Sequence, residues 1–288
     1  MPGGGGAPIN RSFPDCSPPC DFRPALAPSL DKGHHVRLAR SKRWGVEFYF
    51  SFLRFLLPAR CALCQGILGV GSRSVVCGGC WGRVKFLDPP FCPRCGRPFW
   101  GHTVVHPPSH LCQGCRARQP QYLLARSALL YERDDPLREV LLLFKHGRRD
   151  ALGGPLGRLM ADRTAPLFGH PTIDAVVPIP LHRKREQDRG FNQSEILARV
   201  VGKRLQRPVL RKTLRRIRPT LPQTGKPRER VRNVRGAFAV VKPERIEGRS
   251  LLVVDDVFTT GATVNECAKV LMKAGAREVL VYTLARVL

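Results

Sequence analysis

The sequence predicts an α/β protein in which a parallel sheet with flanking helices follows a small metal-binding module. Two observations support this prediction. From about residue 121 onward, apolar runs of strand length alternate with segments of helical apolar spacing, the order expected of parallel strands joined by crossover helices. Before them, residues 58–118 hold four Cys-x-x-Cys pairs and little apolar periodicity, which indicates that metal replaces a hydrophobic core there.

The N-terminal 44 residues are predicted to be a disordered extension, because they are rich in Gly and Pro and carry scattered charges. They lack the apolar core of a secretory signal. The apolar stretch at 45–58 contains Glu47 and Arg54 and is too short to span a bilayer. We expect it to form a helix packed on the fold, with a helix on a membrane surface as the alternative. No membrane span is predicted.

The charge balance indicates a polyanionic partner. Lys and Arg number 49 against 22 acidic residues, for a net charge of +27. Nucleic acid, a phosphate-rich substrate or an anionic surface fits this balance, and the alternative is a solubility effect or a GC-rich genome that favours Arg. Eight of the 11 cysteines lie in Cys-x-x-Cys pairs, which is typical of metal binding in a reducing compartment. A cytoplasmic location is therefore expected.

The four cysteine pairs predict two four-thiolate metal sites. Loops of 12 and 16 residues separate the first pair from the second and the third from the fourth, which favours sequential pairing over interleaved pairing. Structural zinc is predicted for both sites, with an iron–sulfur cluster as the alternative. The predicted ligands are Cys61, Cys64, Cys77 and Cys80 in one site, and Cys92, Cys95, Cys112 and Cys115 in the other.

After the cysteine module, the elements follow from the apolar pattern. Strands are predicted within 121–135, 172–181, 248–256 and 277–288, and helices within 136–146, 151–164, 192–205 and 263–276. Asn192 is the predicted N-cap of its helix. The stretch 211–235, which we call the basic segment, holds ten basic residues and one acid. The stretch 211–238, which contains it, is predicted to be a lid without regular structure, since such long loops are often lids.

The stretch "LLVVDDVFTTGATV" (251–264) is the most specific chemical signal. A buried strand delivers two adjacent acids, Asp255 and Asp256, at its end, and the following residues turn directly into a helix. The backbone N–H groups of such a turn bind anions, and Gly261 allows a close approach. The acids would accept hydrogen bonds from vicinal hydroxyls. A sugar phosphate satisfies both halves of this pattern.

This stretch resembles the ribose-phosphate motif of type I phosphoribosyltransferases, and residues 55–288 as a whole resemble the ComF family of competence-protein F and GntX-like proteins. The resemblance rests on the four cysteine pairs and on "LLFKHGRR" (142–149), "VVPIPLHRKREQDRGFNQSEILA" (176–198), "RIRPTLPQTGKPRERVRNVRGAF" (216–238) and "VVDDVFTTGATV" (253–264). It implies a phosphoribosyltransferase-like parallel sheet preceded by a double zinc ribbon. The implied domains are 1–44, 45–118 and 119–288.

The resemblance also implies roles for individual residues. Asp255 and Asp256 would hold the ribose hydroxyls of phosphoribosyl pyrophosphate (PRPP) together with Mg2+, and Asp256 is a candidate general base. The 5′-phosphate would lie against Thr259, Thr260, Gly261, Ala262 and Thr263. The pyrophosphate side would contain Lys145, Arg183, Arg185 and Arg189. The lid would contribute Arg218, Thr220, Gln223, Arg230 and Asn233. Ala262 and Lys226 depart from the family pattern, which often has a hydroxyl residue and an apolar residue there.

Two functions from different classes follow. The first is a Mg2+-dependent phosphoribosyltransferase with an unknown acceptor, linked to natural competence. The second is a non-catalytic accessory protein that binds single-stranded DNA during uptake and works beside a DNA-uptake helicase, with the PRPP site as a sensor or relic. The net charge of +27 and the predicted zinc ribbon support the second function. Few aromatic residues lie in the basic segment, so DNA contact would be mainly to phosphate.

Overall fold

The computed structural model describes residues 59–69, 74–99, 110–132, 135–146, 149–169, 172–219 and 227–288. The chain divides into two compact units, residues 1–83 and 84–288. The predicted extension (1–44) and the apolar stretch at 45–58 lie outside the described residues. Within the described ranges, each helix is too short or too polar to cross a bilayer.

The first unit contains the first zinc ribbon, residues 61–80. A single antiparallel bridge joins Arg60 to Ile67 around the first cysteine pair. Helix α1 (Gly78–Gly82) then begins at Cys77, whose side chain accepts a hydrogen bond from the Cys80 N–H. The tight turn places Gln65 at a φ of 61°, a left-handed conformation.

The second unit begins with the second zinc ribbon, residues 92–115, which repeats this plan. Phe91 bridges to Pro98, and helix α2 (Gln113–Arg118) begins after Cys112. Gly96 takes the turn position equivalent to Gln65, at a φ of 69°. A Cβ atom on Gly96 would lie 2.6 Å from the carbonyl oxygen of Ala125. The second ribbon therefore requires glycine at this turn, because the sheet approaches it closely.

The rest of the second unit is an α/β domain. Its strands are β1 (Leu124–Tyr131), β2 (Ala175–Pro178), β3 (Leu214–Arg216), β4 (Phe238–Val240), β5 (Ser250–Phe258) and β6 (Glu278–Val287). Its helices are α3 (Pro136–His146), α4 (Gly153–Phe168), α5 (Arg183–Arg189), α6 (Gln193–Leu205), α7 (Pro227–Val234) and α8 (Ala262–Lys273). Short 3-10 turns occupy Asp150–Leu152 and Pro243–Arg245.

The main sheet is fully parallel, as predicted, with strand order β1-β6-β5-β2. Its central strands are apolar because helices cover both faces, and Leu251–Val254 are fully buried. The predicted cap of α6 is confirmed, since Asn192 Oδ1 accepts a hydrogen bond from the Ser194 N–H. Parallel pairing brings the carboxyl ends of β5 and β6 to one edge, where the acids lie.

The prediction that residues 211–238 form a lid without regular structure is wrong. Strand β3 pairs antiparallel with β4, and α7 lies between them along the chain. The reason is that apolar residues scattered among the charges are buried, including Leu214, Val234 and Phe238. Arg218 donates hydrogen bonds from Nη2 to the carbonyl oxygens of Asn233 and Arg235, at 3.0 and 2.8 Å. These bonds tie the two arms of the basic segment together.

Candidate functional site

The eight predicted ligands form two separate four-cysteine clusters, which confirms the sequential pairing. Within each cluster the ligand atoms all lie within 4.8 Å of one another. Neighbouring sulfurs are 3.9 Å apart for Cys61 and Cys80, and 3.7 Å apart for Cys95 and Cys112. Four thiolates around one zinc ion would be about 3.8 Å apart. The clusters thus fit one tetrahedral ion each and support structural zinc, whereas an iron–sulfur cluster needs more widely spaced ligands.

The surroundings of each cluster favour thiolates at its first cysteine. Burial raises the pKa of Cys61 and of Cys92, but backbone N–H donors outweigh burial and hold both at about 7. In each cluster one such donor belongs to the second cysteine pair. The Cys77 N–H donates to Cys61 Sγ at 3.2 Å, and the Cys112 N–H donates to Cys92 Sγ at 3.4 Å. A cationic side chain approaches each cluster too, Arg83 in the first and Arg286 in the second.

Asp255 and Asp256 lie near the carboxyl end of β5, as predicted. Asp255 Oδ1 accepts a hydrogen bond of 2.8 Å from Ser194 Oγ, at the N-terminus of α6. Burial, followed by the charge of Asp256, raises the pKa of Asp255 to about 7, although the Ser194 bond opposes this. The two acids are therefore chemically distinct: one holds its proton near neutral pH, and the other has a cationic partner.

That partner is Lys145, in the last turn of α3. Its Nζ lies 2.8 Å from Asp256 Oδ2, and their side chains are 24% and 16% exposed. Burial lowers the pKa of Arg189, at the end of α5, and the nearby Asp256 opposes this shift. Arg189 Nη1 also donates to Gln193 Oε1 at 3.3 Å. Lys145 and Arg189 thus approach the acids from different helices.

Residues 259–263, which we call the anion loop, comprise the turn after β5 and the first two residues of α8. Gly261 caps α8 with a φ of 76° and without a side-chain hydrogen bond. A Cβ atom there would lie 2.6 Å from the ring of Phe258, so both backbone conformation and space require glycine. Thr260 Oγ1 accepts a hydrogen bond from the Ala262 N–H at 3.4 Å. The N-terminus of α8 carries the positive end of the helix dipole, which favours an anion.

The other predicted residues lie on neighbouring elements. Arg183 and Arg185 occupy the first turn of α5, with Arg183 exposed and Arg185 half-buried. Arg218 and Asn233 are brought together by the bond that closes the basic segment. Arg230 is a residue of α7. Thr220 and Gln223 lie outside the described residues.

Sequence reasoning missed three residues at or near the acids and the anion loop. Ser194 bonds Asp255, and its signal was a hydroxyl residue just after the predicted cap of α6. Arg216 lies over the ring of Phe238, with its Cζ 5.3 Å from the ring centre. Burial and the charge of Arg185 lower the pKa of Arg216, whereas the charge of Asp255 raises it. Arg286 contacts the second cluster, and its signal was a single arginine inside the apolar last strand.

Comparisons with known proteins agree with these features. A model of the double zinc ribbon domain matches residues 52–116. Competence protein F of Haemophilus influenzae is 30% identical over 79% of this chain and 96% of its own length. DNA utilization protein YhgH of Escherichia coli is 33% identical over 81% of this chain and 99% of its own. Competence protein ComFC of Bacillus subtilis is 31% identical over 73% of this chain and 84% of its own length.

Solved structures of phosphoribosyltransferases also align with part of the chain. Glutamine PRPP amidotransferase from B. subtilis aligns with a TM-score of 0.35 and 20% identity, over 49% of this chain and 30% of its own. Adenine phosphoribosyltransferase from Leishmania tarentolae aligns with a TM-score of 0.33 and 12% identity, over 55% and 90%. Because full-length relatives are at least 30% identical, the chain belongs to the ComF family.

Proposed function

We propose that the chain binds PRPP in the presence of Mg2+ at the carboxyl edge of its parallel sheet. The observation that carries this proposal is the junction of β5 and α8. There, two adjacent acids run directly into a glycine turn and a helix N-terminus within nine residues, Asp255 to Thr263. Carboxylates suit hydroxyls, and the helix N-terminus suits a phosphate. A phosphorylated sugar carries both hydroxyls and a phosphate, so one ligand can contact both parts of this segment.

The two acids divide the work on the ribose. Asp255 is oriented by the 2.8 Å bond from Ser194 and accepts a hydroxyl once it has lost its proton. Asp256 is paired with Lys145, whose Nζ lies 2.8 Å from Asp256 Oδ2. Hard oxygen donors such as these suit Mg2+, which supplies positive charge beside the pyrophosphate when bound. Relatives of this chain named for competence and DNA utilization support a role in DNA uptake.

The cations around the acids suit the pyrophosphate. Lys145 and Arg189 reach the acid pair from α3 and α5, and Arg185 is half-buried on the first turn of α5. In a partly desolvated site such fixed charges stabilise developing negative charge on a leaving group more strongly than water does. The arrangement therefore favours a pyrophosphate-bearing ligand over a sugar monophosphate.

Calorimetric titration with PRPP and Mg2+ tests this proposal. We expect Asp255→Asn combined with Asp256→Asn to weaken binding by at least about a hundredfold, since two charged hydrogen bonds are lost and each costs about 1.5–3 kcal/mol. Asp162→Asn, which changes an exposed acid on α4, is the matched control and should bind like the parent. A double variant that binds PRPP as tightly as the parent would remove the assignment. Pyrophosphate release with a panel of nucleobases tests transfer to an acceptor.

We also propose that the basic segment binds single-stranded DNA through phosphate contacts. Its exposed basic residues, on or beside β3 and α7, are Arg211, Lys212, Arg215, Arg218, Arg232 and Arg235. Phe238, the aromatic residue at its edge, is buried, so base stacking has no support there. Fluorescence anisotropy with a poly-dT oligonucleotide should show an affinity that falls steeply with salt.

The control for this second proposal uses variants of both sites. Arg211→Ala combined with Lys212→Ala should weaken DNA binding and reduce its salt dependence, whereas PRPP binding stays unchanged. The double Asp variant should keep its DNA affinity. If the double Asp variant and the Arg211/Lys212 variant each weaken DNA binding and PRPP binding equally, the proposal of separate sites for DNA and PRPP is wrong.

A further inference from the structure

We propose that the second zinc ribbon is the structural support of the anion loop, and that Arg286 is the positioning residue that connects them. This inference rests on the proposed function of the loop as the phosphate site. Arg286 is a residue of β6 and is only 5% exposed. Its Nη1 donates a hydrogen bond of 2.7 Å to the carbonyl oxygen of Cys95, and its Nη2 lies 3.7 Å from Cys95 Sγ. One guanidinium thus holds a cluster ligand at both backbone and sulfur.

The same guanidinium reaches the anion loop through Phe258. Its Cζ lies 4.4 Å from the centre of the Phe258 ring, a cation–π contact, and the two residues are paired in the β5–β6 register. The Phe258 ring fills the space in which a Cβ atom of residue 261 would lie. Cys95, Arg286, Phe258 and Gly261 therefore form a continuous packed path from the cluster to the glycine of the anion loop.

Two further contacts join the ribbon to the loop independently of Arg286. Arg118, the last residue of α2, donates from Nη1 to the carbonyl oxygen of Thr260 at 3.3 Å. The backbone N–H of Gln121 donates to Asn265 Oδ1, in the first turn of α8, at 2.7 Å. These residues follow Cys115 by three and six positions. The loop and the first turn of α8 are therefore both attached to the chain segment that follows the cluster.

Electrostatics adds a reason why the support depends on the loaded cluster. Four thiolates around one divalent ion leave a net negative charge, which Arg286 partly neutralises inside the protein. Loss of the ion with protonation of the thiolates, or their oxidation, removes the negative charge beside this buried guanidinium and leaves it the hydrogen bond to the Cys95 carbonyl oxygen. Arg286 is then held less firmly, and so is the Phe258 ring that it positions against the loop. Coupling of this kind is reciprocal, so a phosphate on the loop should also protect the second cluster.

Hydrogen exchange in the absence of ligand tests the support directly. We expect Arg286→Lys, which keeps charge but loses the planar fork, and Arg118→Met to raise amide exchange of residues 258–264 at least about threefold. Arg116→Met is the matched control, because Arg116 is exposed on the same helix. Arg118 is also exposed, so its variant should fold even where the buried change does not. Zinc content should stay at two ions per chain.

PRPP titration of the same proteins separates this inference from the proposed function. We expect Arg118→Met and Arg286→Lys to weaken PRPP binding about three- to tenfold, with Arg116→Met unchanged. If the parent binds no PRPP but the exchange difference is found, the proposed function is wrong and the support stands. If residues 258–264 of folded, zinc-loaded Arg118→Met and Arg286→Lys exchange like those of the parent, the support is refuted.

Discussion

The affinity for PRPP is predicted to fall at acid pH, because Asp255 must lose a proton before it can accept a ribose hydroxyl. Burial and then the charge of Asp256 raise the pKa of Asp255 from its ordinary 3.8 to about 7. Between these values the folded chain binds a proton that the unfolded chain has released, so the stability of the ligand-free protein falls as pH rises. PRPP binding, which requires the charged form of Asp255, has the opposite pH dependence: it strengthens as pH rises through about 7.

The size of the effect follows from the pKa. At pH 6 about one molecule in eleven carries a charged Asp255, so affinity should be about tenfold below the plateau reached near pH 8. Lys145 lowers the pKa of Asp255 in addition to pairing with Asp256. Lys145→Met should therefore move the midpoint to higher pH, since the second acid loses its compensating charge.

Calorimetry from pH 5.5 to 8.5, at constant free Mg2+, measures this dependence. The phosphates of the ligand titrate near pH 6 and add a slope of their own. Asp255→Asn provides the reference. Its affinity still changes with pH through the phosphates of the ligand, but it no longer changes through the Asp255 carboxyl group. Parallel curves for the parent and Asp255→Asn would refute the reasoning, since the proton would then reside elsewhere.

Three further predictions concern the ribbons, the loop and the cap. Removal of zinc by a chelator should make residues 61–115 sensitive to proteolysis, and continued protection would exclude structural zinc. Gly261→Ala should weaken PRPP binding and lower the free energy of unfolding by about 1–3 kcal/mol, because the φ of 76° and the Phe258 ring exclude a side chain; Gly82→Ala, with open space around it, is its control. Asn192→Ala should lower stability by about 1 kcal/mol or more in thermal melts, whereas Asn192→Ser keeps a capping oxygen and should lose less.

The parts of the site that lie within one short segment were predictable from sequence. The acids, the glycine turn and the helix start are contiguous at 255–263, and each Cys-x-x-Cys pair is a local turn. Their partners come from distant segments. Ser194 reaches Asp255 across 61 positions, and Arg286 reaches Cys95 across 191. Such contacts are set by the strand order, which apolar periodicity does not specify.

The basic segment shows a different limit of sequence reasoning. Its charge suggested a solvated lid, and the apolar residues Leu214, Val234 and Phe238 are too widely spaced to form a recognisable pattern. Packing nevertheless buries all three and pairs β3 with β4. A three-residue strand leaves too few positions for a period-two signal, so tertiary contacts decided its structure.

The left-handed turn shared by the two ribbons has a consequence for how the module can vary. Residue 65 tolerates a glutamine side chain, whereas residue 96 faces the carbonyl oxygen of Ala125 and accepts only glycine. The copies are thus alike in plan but not interchangeable. A second-ribbon knuckle transplanted into the first position would meet no steric obstacle at this turn, but the reverse exchange would drive a side chain into the sheet. The two ribbons share one plan, and contact with the α/β domain restricts this turn to glycine in the second of them.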